Sequence, residues 1–175
     1  MKAWGLFAAL ALLPAWGRGQ AQEDEVAIQR RLGDLHLGDS LEAVRRVYSP
    51  VQKWPSFIEP RGRVTRMRVE RAYVKSFPNN VQTLWLGFKR GGLVEIQIIY
   101  NLEFSRRKSA EALAGDLALI YGEPQRGGGK SSWTDGKTVL RVFNAELPVL
   151  KGRTEAVELR TAIQIFEHGL SRRTD

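Results

Sequence analysis

At 175 residues the chain is sized for one domain, or for two small modules sharing a core. Its 43% apolar and 26% charged residues are ordinary for a globular protein and exclude a chain disordered throughout. The formal net charge is +8, and the absence of cysteine excludes disulfide stapling and an N-terminally lipidated cysteine.

Met1 and Lys2 make a short positive start, followed by the apolar stretch Ala3 to Trp16. Gly19-Gln20-Ala21 then places small residues where a signal peptidase reads them. The apolar run falls short of the roughly 20 residues that cross a bilayer, and Pro14 would interrupt a longer helix. The expectation is a cleaved signal peptide over 1–21, with a retained anchor as the alternative. Its removal takes away Lys2 and Arg18 and leaves 25 basic against 19 acidic side chains, a charge of +6. Small secreted domains of eukaryotes usually rely on disulfides. A chain without cysteine and without an Asn-x-Ser/Thr site therefore reads as a periplasmic or secreted bacterial protein.

Glu23, Asp24 and Glu25 open residues 22–35, whose apolar spacing is too irregular to assign. Asp39-Ser40-Leu41-Glu42 has the form of a capping box with Asp39 as N-cap. Leu41, Val44, Val47 and Tyr48 follow at helical spacing, and Pro50 ends a helix expected at about 40–49. After a loop containing Trp54, Pro55, Phe57 and Pro60, residues 64–74 alternate. Met67, Val69 and Tyr73 share one parity and Arg66, Arg68 and Glu70 the other, as in a half-buried antiparallel strand. Strands are also expected at 81–88 and 93–100, joined at Arg90-Gly91-Gly92.

Ser109 opens a second helix with Leu113, Leu117, Ile120 and Tyr121 on one face, ended by Gly122 and Pro124. The loop Gly127-Gly128-Gly129 leads to Ser131-Ser132-Trp133. Asp135-Gly136 is a hairpin turn into a strand over 137–143. A loop around Pro148 and Gly152 precedes a last strand over 156–166. The pattern predicts an α+β fold: a helix plus a three-stranded antiparallel meander, repeated twice, with helices packed on one face. The corresponding organisation is 1–21 signal peptide, 22–103 and 104–170 as two α-β-β-β units, and 171–175 a disordered tail. A single α+β domain is the alternative.

Leu37-Gly38-Asp39-Ser40-Leu41-Glu42-Ala43-Val44 resembles the helix start of SmpA/BamE-type envelope proteins. The tandem helix-plus-meander layout is similar to beta-lactamase-inhibitor-type modules. The resemblance implies a curved antiparallel sheet offered to a protein partner, with helices behind it. The chain departs from these families in lacking the lipidated cysteine of the first and the disulfides of the second.

Chemistry is sparse. His36 and His168 are the histidines, and no Gly-x-Ser-x-Gly elbow accompanies them. With no cysteine and no His-x-x-x-His pair, no metal and no cofactor is expected. Gly127-Gly128-Gly129-Lys130-Ser131 has part of a phosphate-loop pattern, but Pro124 stands where the leading glycine is needed. The basic residues Arg61, Arg63, Arg66, Arg68, Arg71 and Lys75 form the densest feature. Arginine suits bidentate contact with carboxylate or phosphate, although a solvated sheet face would carry the same charges. The binding candidates are Trp54, Arg63, Arg66, Arg68 and Arg71. The expected function is non-catalytic: an exported envelope module that binds a protein partner through its sheet and basic strand. Direct binding of anionic lipid or cell-wall polymer is the alternative, and a small hydrolase the third. Peripheral membrane contact fits this reading, and nucleic acid does not.

Overall fold

The computed structural model describes residues 26–60, 63–151 and 154–171. The signal segment 1–21, the acidic cluster Glu23-Asp24-Glu25 and residues 172–175 lie outside them. No helix among the described residues is long and apolar enough to cross a membrane.

The chain enters through a short ribbon, β1 (Arg31–Leu32) and β2 (Leu35–His36), and then forms α1 (Leu41–Val47). The N-cap is Ser40, one residue after the expected Asp39: its Oγ accepts from Ala43 N at 3.1 Å. Asp39 instead closes the preceding turn, accepting from His36 N at 2.8 Å. Ser40 thus serves a free amide of the first helical turn, and Asp39 an amide of the ribbon before it.

Eight strands follow α1. They are β3 (Ser56–Glu59), β4 (Val64–Val69), β5 (Val81–Lys89), β6 (Gly92–Tyr100), β7 (Gln125–Gly127), β8 (Lys130–Thr134), β9 (Thr138–Lys151) and β10 (Thr154–Glu167). A 3-10 turn, Arg71–Tyr73, ends the run from β4. Helices α2 (Leu102–Arg107) and α3 (Ala110–Tyr121) separate β6 from β7, and the single turn α4 (His168–Ser171) follows β10.

All eight strands join one antiparallel sheet in the order β3-β4-β5-β6-β10-β9-β8-β7. This overturns the expected α+β arrangement of helix plus three-stranded meander repeated twice. The protein is mostly β, and β6 pairs β10 through Glu95–Ile99 and Ala162–Phe166, so both halves of the chain build one sheet. The expectation failed at the edges: β3 and β7 are four and three residues long, too short for an alternating pattern to register.

The core lies on one face of the sheet. Leu84, Leu86, Ile96, Ile98, Val142, Ile163 and Ile165 form a single buried cluster with Val44 of α1, its C-cap Tyr48, and Ala110 and Ala114 of α3. Helix α3 packs Leu113, Leu117 and Tyr121 there as well. Ile120, expected on that face, is 59% exposed, and the small Ala110 and Ala114 take the close approach instead.

The β9–β10 hairpin runs past the sheet. Beyond Phe143 and Ala162, its strands pair only with each other among the described residues. The expected loop around Pro148 is therefore strand, with Pro148 opposite Val157. Proline is tolerated because β9 has one neighbour there, so a missing N–H need not break a second ladder. Helix α2 seals the point where β10 leaves β6: Ser105 Oγ accepts from Thr161 N at 3.0 Å, and Thr161 Oγ1 donates to Lys108 O at 2.8 Å.

Candidate binding face

Directly opposed residues in an antiparallel sheet point to the same side, so the register maps the face that α1, α2 and α3 leave open. One line crosses six strands as Arg68, Trp85, Gln97, Gln164, Arg141 and Ser132. The next reads Phe57, Arg66, Gly87, Glu95, Phe166, Val139 and Thr134. A third carries Ile99, Ala162, Phe143 and Lys130. A small second apolar cluster of Ile99, Ala145 and Ala162, with Trp85, Phe143 and Leu147 against it, sits on this side.

Glu95 is the anchor of the face. Its side chain is only 3% exposed, and a buried carboxylate must find partners. Arg66 Nη2 lies 2.9 Å from Glu95 Oε2, and Gln164 Nε2 donates to Glu95 Oε1 at 2.6 Å. Arg66 also reaches Glu59, with Nε 3.3 Å from Oε2. Burial pushes the Glu95 carboxyl above its usual range, outweighing the opposite pull of the Arg66 charge and the Gln164 hydrogen bond.

The ion pair spans β5 because Gly87 has no side chain. A Cβ there would lie 2.9 Å from both Cβ and Oε2 of Glu95 and 3.1 Å from Val64 Cγ1. Gly87→Ala is therefore expected to lower stability by about 1–3 kcal/mol through overpacking. A urea midpoint within error of wild type would show that Glu95 can move aside at no cost.

Of the sequence candidates, the structure brings only Arg66 and Arg68 together. Arg68 donates to Tyr73 Oη at 3.4 Å and pairs with Glu70, while its side chain stays 41% exposed. Arg63 sits in the β3–β4 turn at φ +50, and Arg71 closes a distant turn by donating to Pro78 O and Asn79 Oδ1. The reading of Trp54 as an exposed contact is corrected: it is 5% exposed and belongs to the core. Arg68 N donates to Pro55 O at 2.9 Å, which ties the Trp-Pro segment to β4. Gly128 and Gly129, both at positive φ, make the β7–β8 turn and lead into no helix.

The sequence reading missed the centre of the face. Arg66, Glu95, Gln97, Lys130, Arg141, Phe143, Gln164, Phe166 and Leu170 line a cleft of about 220 Å³. Arg141 lies over the Phe166 ring at 4.8 Å and Lys130 over Phe143 at 5.9 Å, both within cation–π range. The available signal was Glu95 and Gln97 in an otherwise apolar strand, a placement that demands buried partners.

Among the described residues no Ser or Thr hydroxyl, imidazole and carboxylate are bonded in series. His168 Nδ1 is 3.3 Å from Thr134 Oγ1, but no carboxylate bonds the ring among the described residues. No group of three His, Cys, Asp or Glu among them could hold a metal ion. No protein-family model, curated protein sequence or solved structure matches the chain significantly.

Proposed function

We propose that this protein is a non-catalytic exported module of the cell envelope that takes a protein partner on the open face of its sheet. The supporting observation is a solvent-accessible aromatic pair beside a charged fork. Phe57, 52% exposed, meets Trp85 edge-on at 6.0 Å, and Arg68 is the cross-strand neighbour of Trp85. Tryptophan and arginine are the residues on which binding energy concentrates. Arg68 pairs with Glu70 yet stays 41% exposed, whereas Arg66, held by both Glu59 and Glu95, is 27% exposed and acts as a structural support of this surface. The apolar segment and small residues before Gln22 support export.

The test is crosslinking of the tagged mature protein in its native envelope at low and high salt, read by mass spectrometry. The expected result is one protein partner that survives high salt. Phe57→Ser combined with Arg68→Gln should reduce its capture by about tenfold or more, the loss of one hot spot, while urea unfolding stays cooperative. Capture of only lipid or cell-wall material, lost in salt, would replace this reading with anionic-surface binding.

A further inference from the structure

We propose that the cleft at the centre of the open face is a receptor for a single carboxylate on an apolar stem, the side chain of a glutamate or aspartate of the partner. The inference rests on the open face being the docking face, and it names what that face recognises.

Charge accounting selects the ligand. Three cations border the cleft, Arg66, Lys130 and Arg141. Arg66 is compensated twice, by Glu95 at 2.9 Å and Glu59 at 3.3 Å. Lys130 and Arg141 pair with no carboxylate among the described residues, and Arg141 Nε is a buried donor with no hydrogen-bond partner. A buried donor without an acceptor is costly, and an arginine fork fits a carboxylate through two parallel hydrogen bonds. With Glu59 and Glu95 counted, the surplus is one positive charge, which a monoanionic carboxylate neutralises and a phosphate dianion would exceed.

The surroundings agree. Phe143 and Phe166 give an apolar wall on which a methylene stem can lie while holding the two cations by their ring faces. The Gln97 side chain makes no hydrogen bond among the described residues, so its amide N–H can serve the ligand. Gln164 donates to Glu95, which fixes its orientation at the floor. The Arg66–Glu95–Gln164 assembly positions the site and leaves the anion to Arg141 and Lys130.

The test is NMR titration of the mature protein with the peptide acetyl-Gly-Glu-Gly-amide, with acetyl-Gly-Gln-Gly-amide and inorganic phosphate as comparisons. The expected result is saturable shifts confined to the side-chain amides of Gln97 and Gln164 and to Arg141 Nε–Hε. The glutamine peptide should bind about tenfold more weakly, the loss of a charge-assisted hydrogen bond. Lys130→Gln with Arg141→Gln should abolish the response while urea unfolding stays cooperative and the backbone amide shifts remain those of the folded sheet. No saturable shift with the glutamate peptide, or tighter binding of phosphate at the same signals, would overturn the proposal. The same double variant separates the two readings in the crosslinking experiment. Partner capture that depends on Phe57 and Arg68 but not on Lys130 and Arg141 would sink the carboxylate receptor and leave the docking face standing. A glutamate response in the cleft without any partner crosslinked to the face would do the reverse.

Discussion

Arg66→Ala is expected to cost about 3 kcal/mol at pH 8, and less at pH 5. Removing one member of a buried pair leaves the other charge uncompensated, a loss of roughly 3–5 kcal/mol where both are fully enclosed. The figure is set at the lower end because the Arg66 side chain is 27% exposed and Gln164 still donates to Glu95. The pH dependence follows from Glu95, whose carboxyl burial already holds above its usual range. A carboxyl raised in the folded state binds more protons folded than unfolded between the two values. Stability therefore falls as pH rises through that window. Without Arg66 the folded value climbs further, the window extends upward, and the penalty is felt most where Glu95 must be charged. Urea unfolding at both pH values measures it. Glu95→Gln in the Arg66→Ala background should recover most of the loss at pH 8. Equal losses at pH 5 and 8 would show that the packing of the Arg66 stem, and not its charge, supports the face.

The second large effect lies at the β8–β9 turn. Asp135 Oδ1 accepts from Thr138 N at 2.6 Å and Lys137 N at 3.0 Å, and Oδ2 accepts from Ile28 N at 2.9 Å. One carboxylate thus closes the hairpin and ties down the entering chain, where Ile28 is buried in the core. Asp135→Ala would strand the amide of fully buried Thr138 and that of Ile28, a cost of about 2–3 kcal/mol for unsatisfied buried donors. Burial opposes the charge on Asp135, but the backbone N–H groups of Thr138, Lys137 and Ile28 outweigh it and hold the carboxyl below its usual range. A depressed carboxyl contributes stability above its unfolded value, roughly pH 4, and loses it as pH falls through the folded value. The gap between wild type and Asp135→Ala should therefore narrow below pH 4. Hydrogen exchange gives the local readout: the Ile28 and Thr138 amides should lose protection before the centre of β6. Undiminished protection at Ile28 would mean that packing alone holds the N-terminal segment.

Asp135-Gly136 also shows what local sequence can convey. A turn with Gly136 at φ +77 is written in two adjacent residues, and it forms where they stand. The Ser109 cap accepts from Ala112 N at 3.1 Å, and α3 ends at Gly122 with φ +76. The alternation over residues 66–69 likewise places Met67 and Val69 toward the core and Arg66 and Arg68 on the open face. Each of these depends on a few neighbouring residues, because backbone conformation and side-chain period are local properties.

Partners across the sheet are a different matter. Nothing in β6 says that β10, more than sixty residues later, will lie beside it, since register between distant strands is decided by how two buried faces pack. That packing set the single eight-stranded sheet in place of two meanders, turned Trp54 inward and made Arg66 a support for Glu95. It also carried Arg141 and Lys130 from the second half of the chain to a cleft bordered by Glu95 and Gln97 from the first. The sequence by itself determined the central strands, the Asp135-Gly136 turn, the ends of α3 and the side to which Arg66 and Arg68 point. Which charges meet, which remain without a counter-ion and which face stays open were decided by the tertiary structure, because those depend on contacts that exist only once the sheet has closed its register.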